Sequence, residues 1–161
     1  MTQPPPQPAF IYLDPPLAPS EIEFLSGFSS RGDIRRVWPG QPSAHCPWRV
    51  SEDGRSLRLD FDAIGDDASE VAPWLRFLSQ EFLAPSSIDA MHAALAQRLR
   101  GGHQLTGTVM IHGVREVSAD RNRISERVLA EERDAVVLQF GGARRGEAGP
   151  SSAGQGRCVE R

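Results

Sequence analysis

The sequence contains no lysine, because all 18 of its basic residues are arginine. The codon usage of a GC-rich genome accounts for this bias, and selection for guanidinium groups that bind anions is the alternative. The net charge of -3 favours the first explanation, since proteins that bind nucleic acid normally carry an excess of positive charge. We therefore expect no nucleic acid partner.

Cysteine and long apolar runs are also scarce. Cys46 and Cys158 are the only cysteines, which is too few for a disulfide framework and indicates a reducing compartment. No apolar run approaches the roughly 20 residues that a membrane-spanning helix needs. We predict a cytoplasmic protein without a membrane partner.

The two ends of the chain differ in composition from its middle. Residues 1–8 are rich in proline, and residues 141–161 consist mostly of glycine, arginine, serine and other residues with little apolar mass. Such segments cannot offset the conformational entropy lost on ordering. We predict one domain over residues 9–140, between a disordered leader and a disordered tail.

Strand-like and helix-like patterns alternate within that domain. Strands are predicted at 9–13, 48–50, 56–62, 103–113, 124–129 and 135–140, and helices at 20–28, 67–82 and 88–100. A helix over residues 125–133 is the alternative to the strand at 124–129, because that stretch is rich in helix-forming residues. The patterns predict an α+β fold, a two-layer domain with a mostly antiparallel sheet of five or six strands and two or three helices on one face.

Each predicted helix has an apolar face that we expect to pack on the sheet. The first helix has Ser20 as its cap and an apolar face formed by Ile22, Leu25 and Phe28. The second helix is predicted to be the main core helix, with an apolar face formed by Val71, Trp74, Leu75, Leu78 and Phe82. The third has an apolar face formed by Ile88, Met91, Leu95 and Leu99.

An aperiodic loop over residues 29–48 is the first place to look for a site, because long loops in compact domains often carry function. Cys46 is a candidate nucleophile there, with the adjacent His45 as a candidate base. The alternative is a packed turn, since Pro47 follows the cysteine.

The same loop contains the one cluster of arginine and tryptophan in the chain. Arg35 and Arg36 precede Trp48, and such side chains can stack on a base and clamp a phosphate. We keep these three residues as candidate ligand-binding residues.

Acidic residues follow the strand predicted at 56–62. Asp60 and Asp62 are candidate metal ligands, because paired carboxylates bind Mg²⁺ or Ca²⁺. A solvated strand face followed by a helix cap is the alternative reading. The chain lacks the GxGxxG, Walker A, GxSxG and HExxH motifs, so we expect no cofactor.

Three short segments resemble small uncharacterised proteins of actinobacteria and their phages. They are the run Ile11–Leu17 leading into Ser20-Glu21-Ile22, the helix end Trp74–Leu78, and His103–Val109 with Gly113. The pattern is "PPL…EI" followed by "HxLxGxVxxxG". The resemblance implies an α+β fold with a mostly antiparallel sheet, and it assigns no activity to any residue.

The absence of catalytic motifs favours a non-enzymatic protein. We expect an accessory or protein-binding protein, regulatory or immunity-like, of a GC-rich bacterium, plasmid or phage, with no catalysis. The alternative is a small enzyme or nucleotide-binding module that uses the 29–48 loop.

Overall fold

A computed structural model describes residues 9–29, 36–64 and 68–129. The predictions for residues 1–8, the strand at 135–140 and the tail at 141–161 lie outside these ranges. The described part contains six strands: β1 (Phe10–Asp14), β2 (Trp48–Val50), β3 (Ser56–Leu59), β4 (Gln104–Ile111), β5 (Arg115–Asp120) and β6 (Arg123–Val128). Its helices are α1 (Pro19–Ser29), the one-turn α2 (Phe61–Ile64), α3 (Val71–Leu78) and α4 (Ile88–Ala96), and α3 continues as a π-helical turn over Ser79–Leu83.

The strands form one sheet in the order β2-β3-β1-β4-β5-β6, and every neighbouring pair is antiparallel. Apolar residues alternate along the central strands and point to one side, as Ile11, Leu57, Leu105 and Val109 do, each without measurable exposure. The helices supply the other half of the core. The predicted α+β two-layer fold is confirmed.

Helix α3 forms the centre of the core, as its apolar stripe predicts. Val71, Trp74 and Leu75 are fully buried, and Phe82 in the π-helical turn is almost fully buried. The ring of Phe82 lies 5.2 Å from that of Phe24 on α1, so that the two helices share an aromatic cluster.

The predicted cap of α1 is wrong. Ser20 lies inside the helix, which begins with Pro19, and the carbonyl of Ala18 accepts the first helical hydrogen bonds. Glu21 reaches back and accepts a hydrogen bond from the Ala18 N–H at 2.7 Å. This is one half of a capping box, with proline at the first helical position, where its missing N–H costs nothing.

The strand predicted at 56–62 ends three residues early. Asp60 accepts a hydrogen bond from the N–H of Asp62 at 3.2 Å and thereby starts α2. In a strand over 56–62, Phe61 would share the face of Leu57 and Leu59, but it is 41% exposed. The capping chemistry of aspartate therefore overrides the alternating pattern.

Strands β5 and β6 form a hairpin. Residues Arg123–Val128 form a strand, as preferred over the helix, and they pair with β5, a strand that the sequence did not predict. The strand predicted at 135–140 lies outside the described residues. Arg121 and Asn122 join the two strands with φ angles of 46° and 69°. Positive φ at both positions is typical of a type I′ turn, the geometry that tight hairpins prefer.

The described part of the long loop is packed structure. Trp38 contacts Phe24 and Phe82 with ring centroids 5.9 and 5.1 Å apart, and Ser43 accepts a hydrogen bond from Trp74 Nε1 at 2.9 Å. Trp38 and Ser43 therefore connect this loop to the core. Within the described ranges, no helix has the length and apolar character needed to cross a membrane.

Candidate functional site

The structure places Cys46 inside the core and His45 at the surface. Cys46 is 3% exposed, and its Sγ accepts a hydrogen bond from the Trp48 N–H at 3.4 Å. Burial raises the pKa of this thiol to about 12, so that the thiol form dominates at neutral pH. Because the thiolate is the nucleophile, this geometry does not support a catalytic role for Cys46.

Of the three candidate ligand-binding residues, Arg35 lies outside the described residues. Arg36 and Trp48 contact different parts of the fold. The Arg36 guanidinium stacks 4.1 Å from the centre of the Phe24 ring, and its Nε donates to the Phe24 carbonyl at 3.1 Å. Trp48 is 1% exposed and donates from Nε1 to the Val71 carbonyl at 2.9 Å. Trp48 therefore presents no ring face on which a base could stack.

Of the two candidate metal ligands, Asp60 has structural partners. Asp60 Oδ2 lies 2.5 Å from Arg49 Nη2, while its Oδ1 accepts the helix-capping bond from the Asp62 N–H. Among the described residues, no group of three or more histidine, cysteine or acidic side chains is arranged to hold a metal ion. Asp60 therefore acts as a cap and an ion-pair partner.

A buried polar group that the sequence did not indicate is formed by Glu21 and His103. Glu21 is 1% exposed, and its Oε1 accepts a hydrogen bond from the Arg100 N–H at 2.7 Å. The same oxygen lies 3.4 Å from His103 Nε2. His103 is also 1% exposed and donates from Nδ1 to the Pro15 carbonyl at 2.6 Å. With the bond from Ala18, Glu21 joins the start of α1 to the segment before β4.

Several donors stabilise the charge of Glu21. Burial by itself would raise its pKa, but the backbone N–H groups of Ala18 and Arg100 and the side chain of His103 outweigh this effect, so the pKa is lowered. The carboxylate is thus ionised at neutral pH. Both Glu21 and His103 are closed to solvent, which indicates a structural role rather than a reactive site. We call the hydrogen-bonded pair of Glu21 and His103 the clasp.

Only half of this clasp could be found in the sequence. Glutamate at the third helical position, two residues after Pro19, is a recognisable capping pattern. The contact with His103 joins residues 82 positions apart, and no local spacing indicates it.

Helix α4 presents an apolar stripe to solvent. Ile88, Met91 and Leu95 are 68%, 46% and 57% exposed, although the sequence analysis expected this face to pack on the sheet. The buried positions are instead Ala90 and Ala94. Because alanine is small, it allows α4 to lie close to the preceding π-helical turn, which α4 contacts.

An apolar cavity adjoins this stripe. It has a volume of about 270 Å³ and is lined by Pro85, Met91, Leu95, Leu99 and the segment Arg100–Gly102. Exposed apolar side chains beside a concave surface are typical of sites that bind another protein or a ligand.

No family model matches the chain, and no curated protein or solved structure matches it either.

Proposed function

We propose that the protein is a non-enzymatic accessory protein that binds another protein, and that it does so through the stripe of Ile88, Met91 and Leu95 on α4. The observation that supports this is the exposure of three large apolar side chains at helical spacing beside an apolar cavity. A surface helix in a two-layer domain normally turns such a stripe toward the core.

The spacing of the stripe determines the shape of partner that fits it. Residues separated by three and seven positions lie along one line of a helix, and such a line packs into the groove of another helix. Complete burial of a side chain of this size contributes about 1.5–3 kcal/mol. Three such side chains and one cavity support a transient complex rather than an obligate one.

The charges that follow the stripe in the chain determine the polarity of the partner. Arg98 lies three residues after Leu95 and is exposed, and its side chain forms no ion pair or hydrogen bond in the part of the chain that the structure describes. Arg100 contacts Glu21, but its side chain remains 62% exposed. The partner that we propose is an amphipathic helix with apolar residues along one face and acidic residues at its edge, where they would meet these two arginines.

The biological role and the cellular compartment are part of the same proposal. A regulatory or immunity-like role in the cytoplasm of a GC-rich bacterium, or on a plasmid or phage, agrees with the arginine-only basic residues and the small number of cysteines. The enzyme or nucleotide-binding alternative has less support, because Trp48 and Cys46 are buried in the described part of the 29–48 loop.

Affinity capture with matched variants tests the proposal. The wild-type protein, Leu95→Glu and Val128→Glu would each be used to capture proteins from the native host. Val128 is 65% exposed at the end of β6 and serves as the control for adding a charge to an exposed apolar position. We expect a protein that the wild type and Val128→Glu recover and that Leu95→Glu loses.

The purified partner would then be titrated against all three proteins by calorimetry. Leu95→Glu should weaken binding at least about tenfold, which corresponds to about 1.4 kcal/mol. Recovery of the same proteins by all three variants would contradict the proposal, as would the absence of any specific partner.

A further inference from the structure

A second concave surface lies where β2 and β3 meet α2. The cavity has a volume of about 370 Å³ and is lined by Arg49, Arg58, Leu59, Asp60, Phe61 and Asp62. This volume lies within the range of small-molecule sites. Neither α4 nor its stripe contributes to the lining, so the site is independent of the proposed protein-binding surface.

Two arginines face each other across adjacent strands in this cleft. Arg49 and Arg58 are direct partners in the register of β2 and β3, and both side chains lie on the exposed face of the sheet. Like charges at directly opposed positions are destabilising unless anions compensate them. Asp60 compensates Arg49, and its second oxygen is used by the cap of α2.

Two opposite charges in the cleft have no partner of their own. Within the described ranges, the guanidinium of Arg58 and the carboxylate of Asp62 form no hydrogen bond or ion pair, either with each other or with another side chain. They are therefore more than 4 Å apart while they line the same cavity. The ring of Phe61, between them in the chain, is 41% exposed and adds an apolar wall.

We propose that this cleft binds a small zwitterion of the amino acid class. The ligand carboxylate would lie against the Arg58 guanidinium, whose fork of N–H donors fits a carboxylate. The ligand ammonium would lie against Asp62, and an apolar side chain would contact Phe61. A purely anionic ligand such as phosphate fits less well, because Asp62 would repel it.

Titrations followed by amide chemical shifts test this assignment. The probes are L-leucine, N-acetyl-L-leucine, which lacks the positive charge, and L-leucine amide, which lacks the negative charge. We expect L-leucine to shift the amide signals of residues 58–62, and we expect either modified probe to bind about threefold or more weakly, as is typical of exposed ion pairs.

Charge variants show which residue recognises which end of the ligand. Arg58→Gln should remove the preference for L-leucine over the amide, and Asp62→Asn should remove the preference over the acetylated probe. Arg55→Gln is the control, because Arg55 lies in the turn between β2 and β3 and does not line the cavity. A site that binds all three probes equally, or binds none at millimolar concentration, would overturn the proposal, and so would preferences that neither variant changes.

Discussion

The carboxylate of Glu21 connects three segments of the chain through hydrogen bonds to Ala18, Arg100 and His103. Its lowered pKa has a definite consequence for stability. A carboxyl group whose pKa is lower in the folded state stabilises the fold above its unfolded pKa, and this contribution disappears as the pH falls through the folded pKa. The clasp should therefore be intact at neutral pH and weaken in acid.

We predict that Glu21→Gln lowers the free energy of unfolding by about 2 kcal/mol at neutral pH, since it leaves a buried backbone donor without its acceptor. The variant should also lose less stability on acidification than the wild type. Urea denaturation from about pH 7 to about pH 3 measures both effects. Glu23→Gln, at an exposed position of the same helix, is the control. Equal effects of the two substitutions would show that the clasp does not stabilise the fold.

Trp74 and Trp38 differ in burial, so that replacing each with alanine should lower the stability of the protein to a different extent. Trp74→Ala should destabilise the protein by about 3–5 kcal/mol, because the side chain is fully buried. Trp38→Ala should cost about 2 kcal/mol, since its ring is partly buried against Phe24 and Phe82. Chemical denaturation of both variants tests the order. A cost below about 0.5 kcal/mol for Trp38 would mean that the loop does not pack in solution.

At the scale of elements, the β2–β3 turn depends on one glycine. Gly54 has a φ of 68°, and an added Cβ would lie 2.6 Å from the Leu17 carbonyl oxygen. Gly54→Ala should therefore lower the free energy of unfolding by about 2 kcal/mol or more, through both strain and collision. Gly40→Ala is the matched control, because Gly40 has a φ of 81° and nothing within 4 Å of the added atom.

Thermal unfolding of the two glycine variants separates the effect of the steric clash with Leu17 from the effect of the strained backbone. Gly40→Ala should lower the melting temperature by less than Gly54→Ala, since only the strain of positive φ applies there. Equal shifts would mean that Leu17 moves aside without cost.

The success of sequence prediction differs between elements for physical reasons. Helix α3 was predicted correctly because a wide apolar stripe can only be buried in the core. The apolar stripe of α4 was expected to pack on the sheet, because helical spacing identifies an apolar face but not the element that covers it. The buried residues of α4 are instead Ala90 and Ala94. Strand β5 was missed because arginine, glutamate and serine occupy its half-buried positions, and only Val117 and Ala119 are buried.

At the scale of the whole molecule, the sequence predicts the two layers but not the sites. The periodicity of apolar residues and the residue types at turns are local features of the sequence, so they predict strands, helices and the α+β class. The clasp between Glu21 and His103, the cleft at Arg58 and the exposure of α4 depend on which distant segments meet. Candidates chosen from one loop, such as Cys46 and Trp48, were therefore residues of the core.

The central claim is that the exposed stripe of α4 contacts another protein in the cell. Site-specific photo-crosslinking in the native host tests it most directly, with a photoreactive amino acid placed at Leu95 or, as the control, at Tyr12. Tyr12 is 58% exposed on the face of the sheet that the helices do not cover, so the two positions are matched in exposure. We predict a discrete crosslinked product with another protein from position 95 and none of that size from position 12. The same product from both positions, or none from position 95, would contradict it.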